Sequence, residues 1–225
     1  MLTRLRSESG FSLVELLAAL VIGMIVTLAA FDVIDSSLAV SGQVSARTDA
    51  SQRGRAAGDE MTRALRSQVC VNGDAPVLSA TDTQVTFTYD LSNGSTKPKR
   101  TQIGYSSGTR AITQSTWDGS GTEPTLTFPG AARSRTLLTD VDPEPSKPLF
   151  AYWAVRDGSG GAQLDPISAP VAAADLKRIA RIDVAFVAHA SGQLEPGANN
   201  ASTIEDSVFT RSVDPSAAGA QVLCP

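Results

Sequence analysis

The 225-residue chain is long enough for one domain and an additional segment, and it carries a formal net charge of −4. Its basic residues do not cluster, which argues against a nucleic-acid-binding surface. Two cysteines, Cys70 and Cys224, and one histidine, His189, argue against a zinc site built from Cys and His ligands.

An apolar segment runs from Phe11 to Phe31 and contains one charged residue, Glu15. As a helix this segment would rise about 31 Å, which matches a bilayer core of about 30 Å. Arg4 and Arg6 precede the segment, and acidic residues follow it. The positive-inside rule therefore predicts that residues 1–10 lie in the cytoplasm and that the rest of the chain lies outside.

Two interpretations of this segment give Glu15 no role. In the first, the segment is a cleaved secretory signal with a cleavage site at Thr27-Leu28-Ala29, although Glu15 and the length of the apolar run count against it. In the second, it is a simple membrane anchor. An acid near the end of a span costs less than the roughly 2.5–3.5 kcal/mol of a central one, so an anchor tolerates Glu15.

A third interpretation uses Glu15. The stretch GFSLVELL places Gly10, Phe11 and Glu15 after a short basic leader, at the start of the apolar segment. It resembles the processing signal of type IV prepilins and type II secretion pseudopilins. The resemblance implies that a membrane prepilin peptidase cuts between Gly10 and Phe11 and N-methylates the new Phe11 amine.

Glu15 lies about one helical turn after Phe11, whose amine would be charged after cleavage. The carboxylate can pair with this amine or, in a filament, with the Phe11 amine of a neighbouring subunit. Apolar surroundings make an unpaired charge costly and a paired one tolerable. The pair would therefore fix the axial register of the subunits.

A helix is predicted from about Phe11 to Val69, because no proline occurs before Pro76. Met61, Leu65 and Val69 recur at four-residue spacing, as on a helix face that packs on a domain. Gly42, Gly54 and Gly58 soften the middle of this helix, each by about 1 kcal/mol relative to Ala. The opposite charges at helical spacing are interpreted as a solvated face, not as a binding patch. They are Asp49–Arg53, Asp59–Arg63 and Glu60–Arg63.

After residue 71 the apolar pattern alternates, as in a half-buried sheet. Val85, Phe87, Tyr89 and Leu91 are predicted to face one side, and Asn93-Gly94 is predicted to form a hairpin turn. Strands are predicted at 84–91, 100–105, 110–115, 125–128, 149–155, 179–188 and 207–213. Loops are predicted at 118–124, 140–148 and 157–161, and one helical turn at 172–177.

One long helix followed by a mostly antiparallel sheet is an α+β arrangement, and it is also the pilin layout. The resemblance implies a cytoplasmic leader at residues 1–10, which is removed, and a transmembrane or filament-core helix at residues 11–31. It further implies a helix extension at residues 32–70 and an extracytoplasmic β-rich domain at residues 71–225. A looser pattern across residues 53–190 resembles the larger minor pilins of the J-type pseudopilin group.

Cys70 is expected at the end of the helix, and Cys224 lies near the end of the sequence. In an oxidising space outside the cytoplasm, a disulfide between them is favoured over two free buried thiols. It would close a loop of about 155 residues and contribute up to about 5 kcal/mol by loop entropy.

Two further sets of side chains are of types that can carry chemistry. His189 has no evident Ser, Cys or Asp partner in the sequence and is interpreted as structural or exposed. Asp140, Asp142 and Glu144 supply oxygens that could hold calcium, but they match no calcium loop and are interpreted as a solvated loop. No cofactor, metal or catalytic residue is predicted.

The resemblance implies a non-enzymatic filament subunit, a minor pilin or pseudopilin, anchored by one membrane span with its C-terminal domain outside. Its implied partners are prepilin peptidase, other pilin or pseudopilin subunits, a membrane assembly platform and, before assembly, the lipid bilayer. The alternative from another class is a membrane-anchored or secreted β-domain that binds a surface ligand.

Overall fold

The computed structural model describes residues 12–91, 97–155, 163–192, 200–210 and 224. The chain divides into two compact units, Met1–Val44 and Ser45–Pro225. The helix α1 (Leu13–Arg66) contributes to both units, and the elements described after it are strands and one short 3-10 helix at Leu176–Arg178. The predicted α+β class, a long N-terminal helix followed by antiparallel strands, is confirmed.

The bounds of α1 follow from local chemistry. Ser12 caps its start, because its hydroxyl oxygen accepts a hydrogen bond from the Val14 N–H at 3.2 Å. The helix ends at Arg66, three residues before the predicted end at Val69. Val69 instead donates its N–H to the carbonyl oxygen of Thr88 at 3.1 Å, so the chain has already joined the sheet region.

The strands of the described ranges form two five-stranded sheets in place of the single sheet that the sequence predicts. The first sheet is an antiparallel meander in chain order, whereas the second has the order β10-β9-β7-β8, with β6 also pairing with β9. The first contains β1 (Val77–Ala80), β2 (Gln84–Tyr89), β3 (Lys99–Ser106), β4 (Ala111–Asp118) and β5 (Arg133–Thr139). The second contains β6 (Val141–Pro143), β7 (Phe150–Val155), β8 (Leu164–Ile167), β9 (Ile179–His189) and β10 (Ala201–Phe209).

Several strand predictions were wrong. The strand predicted at 125–128 is only an isolated bridge between Ser120 and Thr127, because prolines at 124 and 129 remove the N–H groups on both sides of it. The predicted loop at 140–148 contains β6. The last strand begins at Ala201, six residues before its predicted start, and ends at Phe209. Strands β1, β5 and β8 were not predicted.

Other predictions fall on parts of the chain that the structure does not describe. These are the hairpin turn at Asn93-Gly94, the loop at 157–161 and the last residues of the strand predicted at 207–213. The helical turn predicted at 172–177 lies mostly before the 3-10 helix, which begins at Leu176.

One cluster of buried side chains joins α1 to both sheets. Met61 and Leu65 of α1 are fully buried, as their spacing predicted. Val85 and Phe87 are also fully buried, whereas Leu91 is 50% exposed because β2 ends before it. The cluster further includes Ile103, Ile112, Phe150, Tyr152, Ile182 and Phe186.

Gly54 allows β10 to lie close to α1. A Cβ atom at position 54 would lie 2.8 Å from Cγ1 of Ile204 and 2.9 Å from Cβ of Ala188, which are shorter than real carbon contacts. The sequence predicts that this glycine weakens the helix. The structure shows that its missing side chain makes room for the second sheet.

Gly54→Ala is therefore expected to lower the free energy of unfolding by about 1–3 kcal/mol, because the added methyl group overpacks the contact with Ile204. Gly42→Ala is the matched control, since nothing lies within 4 Å of its added Cβ atom. The control should gain up to about 1 kcal/mol from helix propensity. Chemical denaturation of the full chain in detergent measures both, and equal effects of the two changes would contradict this account.

Candidate processing and assembly segment

The predicted processing residues Gly10 and Phe11 lie outside the described residues, so the cut and the methylation site remain predictions. Glu15 is described, and it lies exposed in the first turn of α1. The peptide N–H groups of a helix N-terminus carry partial positive charge, which favours a carboxylate there. Glu15 is therefore at the end of α1 that best tolerates an acid.

The backbone around Glu15 is already helical. The carbonyl oxygen of Ser12 accepts hydrogen bonds from the N–H groups of Glu15 at 3.0 Å and of Leu16 at 3.1 Å. The regular helix thus begins at Leu13, two residues after the predicted new N-terminus at Phe11. The pairing of Glu15 with a Phe11 amine stays a prediction, because Phe11 lies outside the described residues.

Residues 13–44 of α1 are exposed on every side. An 18-residue window in this helix has a mean hydropathy of 2.5 and none of it is buried, so α1 is long and apolar enough to cross a membrane. A helix that is apolar all round requires lipid or other apolar helices around it. The large exposed apolar residues include Leu13, Leu16, Leu17, Leu20, Val21, Ile22, Met24, Ile25, Val26, Leu28 and Phe31.

The polar Thr27 is accommodated within this apolar segment. Its hydroxyl donates a hydrogen bond to the carbonyl oxygen of Gly23 at 2.8 Å, one turn earlier. Such back-bonding satisfies a hydroxyl without water. The segment therefore needs no aqueous partner between Leu16 and Phe31.

Residues 5–31 match the model of the prokaryotic N-terminal methylation motif. The chain therefore has the N-terminal segment of the type IV prepilin and pseudopilin family. The match includes Gly10, Phe11 and Glu15, and it supports a pilin-like precursor. It ends at residue 31, so the resemblance of residues 53–190 to the J-type group stays a prediction. No curated protein matches the chain.

Cys70 and Cys224 form a disulfide, with their Cα atoms 5.5 Å apart. The bond joins the region just after α1 to position 224, across a sequence separation of 154 residues. The alternative of two free thiols does not apply, since the structure contains no free cysteine among the residues it describes.

His189 has a structural partner that sequence reasoning missed. Its Nε2 atom lies 2.9 Å from Oδ2 of Asp142, which also pairs with Arg110. The side chain of His189 is only 11% exposed. The contact depends on the pairing of β6 with β9, and the sequence predicts a loop at 140–148, so this contact could not be predicted.

The three acids considered for calcium each interact with different groups. Asp140 lies 3.7 Å from Arg53, whereas Asp142 pairs with Arg110. Glu144 accepts hydrogen bonds from the Ser146 hydroxyl at 2.7 Å and N–H at 2.8 Å, and these hold its pKa below the usual range. Within the described ranges, no three His, Cys, Asp or Glu side chains are grouped to hold a metal ion.

Of the predicted charge pairs on α1, Asp49 and Arg53 lie 3.7 Å apart. Arg53 also donates hydrogen bonds to the side chain and carbonyl oxygen of Thr139. Glu60 pairs with Arg135 of β5, not with Arg63 as predicted. Part of the helix face assigned to solvent therefore binds the sheets.

Proposed function

We propose that this chain is a minor pilin or pseudopilin, a structural subunit of a type IV pilus-like filament. One observation carries the proposal: a prepilin-type N-terminal segment leads directly into a helix whose apolar side chains are exposed on every side. In this proposal prepilin peptidase cuts after Gly10 and N-methylates Phe11. The apolar helix is then the part of the chain that enters the filament.

Before assembly, the lipid bilayer covers the apolar part of α1, and the β-rich domain lies outside the cytoplasm. A membrane assembly platform then transfers the subunit into the filament, where neighbouring helices replace lipid. The transfer is tolerable for the apolar residues because both environments exclude water. Glu15 keeps a partner in the filament through the Phe11 amine of a neighbour, which favours one axial register.

Intact-mass measurement and N-terminal sequencing of the chain from a host with prepilin peptidase test this proposal. The expected mature chain begins at N-methyl-Phe11. Deletion of the peptidase is the matched control and should return the full-length chain. An uncleaved chain in the peptidase-positive host would contradict the proposal.

The same measurement addresses the alternative of an anchored or secreted β-domain that binds a surface ligand. A secreted domain would begin near Ala30, after the possible signal-peptidase site, and would lack the apolar helix. A simple anchor would retain residues 1–10 and would carry no N-methyl group. Each of the three products therefore has its own mass.

A further inference from the structure

The outward face of the second sheet carries a row of aromatic and arginine side chains. Tyr152 of β7 and Ile182 of β9 are fully buried in the cluster that joins the sheets to α1. Side chains alternate along a strand, so the chain neighbours Trp153 and Arg181 face outward, and they lie opposite each other in the strand register. Phe209 of β10 lies next in this row and is 61% exposed. An outward sheet face is usually polar, so this row marks the face as a candidate binding surface.

Trp153, Arg181 and Asp183 hold one another in place. The indole N–H of Trp153 donates a hydrogen bond to Oδ2 of Asp183 at 2.7 Å, and Arg181 donates one to the same oxygen at 2.6 Å. The guanidinium of Arg181 also stacks on the indole ring, 4.5 Å from the ring centroid. An aromatic side chain that is fixed in this way loses little conformational entropy when a ligand packs against it, so Trp153 is preorganised for binding.

A cavity of about 540 Å³ lies beside Trp153. This volume is within the range of about 300–1,000 Å³ that is typical of small-molecule sites. Pro148, Ala151 and Ala185 line it together with the indole, and their small side chains leave room for a ring-shaped ligand. The polar lining consists of Lys147, Asp183, Glu205, Asp206 and Ser207.

The charges around this cavity are already paired within the protein. Lys147 pairs with Glu205, and Asp183 pairs with Arg181. Asp206 alternates with Glu205 along β10, so its side chain belongs to the opposite face of the sheet. A charged ligand would therefore meet no uncompensated charge of opposite sign and would have to displace an existing ion pair. The pairing favours an uncharged ligand.

The pair of Lys147 and Glu205 still has unused hydrogen-bonding capacity. An ammonium group carries three N–H donors and a carboxylate has two acceptor oxygens, yet one hydrogen bond joins these two side chains. Both side chains are 50% exposed, so a ligand can reach them. A hydroxyl group donates and accepts at once, so neighbouring hydroxyls of one ligand can bind both members of the pair without separating them.

We propose that the cavity beside Trp153 binds an uncharged sugar unit, with the C–H face of the sugar ring against the indole and its hydroxyls hydrogen-bonded to Lys147 and Glu205. The apolar lining suits the C–H face, and the internally paired charges suit a neutral ligand rich in hydroxyls. A peptide fits less well, because each of its backbone groups either donates or accepts. The site lies wholly within the unit Ser45–Pro225, so it goes beyond the proposed filament function and does not depend on it.

Titration of the full chain with sugars tests this site, in a detergent without sugar headgroups. The probes are glucose, galactose, mannose and their disaccharides, and the matching uronic acids are the anionic controls. We expect at least one uncharged sugar to bind with a Kd below about 10 mM in titration calorimetry, and its uronic acid to bind at least about fivefold more weakly. Preference for the uronic acids overturns the proposal. Absence of binding by every uncharged sugar also overturns it, even if a peptide binds at Trp153.

Substitution of the indole locates the bound sugar. Trp153→Ala should lower the affinity for the best uncharged sugar about tenfold or more, because the ring supplies the largest apolar contact in the cavity. Trp117→Ala is the matched control, since Trp117 lies on β4 of the first sheet and does not line the cavity. The control should change the affinity less than about twofold. Equal losses in the two variants contradict the site.

A second variant tests the cavity without removing Trp153. Ala151→Phe fills the space beside the indole and should also lower the affinity about tenfold or more, because the added ring excludes the sugar. Thr203→Phe is its control, because Thr203 is exposed on β10 and lies outside the cavity. Circular dichroism verifies that each variant is folded. Sugar binding that persists at wild-type affinity in Ala151→Phe and in Trp153→Ala shows that the sugar binds elsewhere, and the proposal is then wrong.

Discussion

Replacing both Cys70 and Cys224 with alanine is expected to lower the free energy of unfolding of the β-rich unit by about 2–5 kcal/mol. The disulfide spans a sequence separation of 154 residues, so its loss frees a long loop in the unfolded chain. The buried cluster that joins α1 to both sheets does not depend on either sulfur. We therefore expect a folded but weakened domain.

Guanidinium unfolding of the full chain in detergent, with and without reductant, measures this loss. Wild-type protein in reductant should match the double variant, whereas the variant should be insensitive to reductant. The double variant is the appropriate form, because either single substitution leaves a free thiol that can form intermolecular disulfides. Equal unfolding midpoints for oxidised wild type and the double variant would show that the bond contributes nothing.

Elements with a strong local pattern were predictable. The length and apolar character of α1, and the alternation at Val85 and Phe87, follow from periodicity alone. β5 was missed because most of its residues are exposed, so it lacks a buried face that would show as alternation. β8 contains Pro166, which disfavours a strand unless the strand lies at an edge, and β8 is an edge strand.

Contacts between distant elements were not predictable. The room that Gly54 leaves for Ile204, and the pairing of His189 with Asp142, depend on which strands are neighbours. One sequence without pairing information does not determine that order. The candidate site shows the converse, because its motif is short and local: the stretch GFSLVELL resembles the prepilin processing signal, and the match at residues 5–31 supports that resemblance.

Glu15→Val is expected to leave cleavage after Gly10 largely intact but to reduce incorporation into filaments about tenfold or more. Removing one partner of a charge pair in apolar surroundings costs about 3–5 kcal/mol, because the remaining charge is left uncompensated. Here the remaining charge would be the Phe11 ammonium. A tenfold change corresponds to about 1.4 kcal/mol, so even a partly hydrated amine would give a measurable loss.

The ratio of this chain in sheared filaments to that in membranes, measured by immunoblot, reports incorporation, and intact mass reports processing. Glu15→Gln keeps the size and removes the charge, so it should behave like Glu15→Val if charge pairing is the cause. Glu15→Asp keeps the charge on a shorter side chain and should retain more incorporation than either. If both neutral variants enter filaments normally with a mature N-terminus, Glu15 does not pair with a neighbouring amine, and the register must come from other contacts of α1.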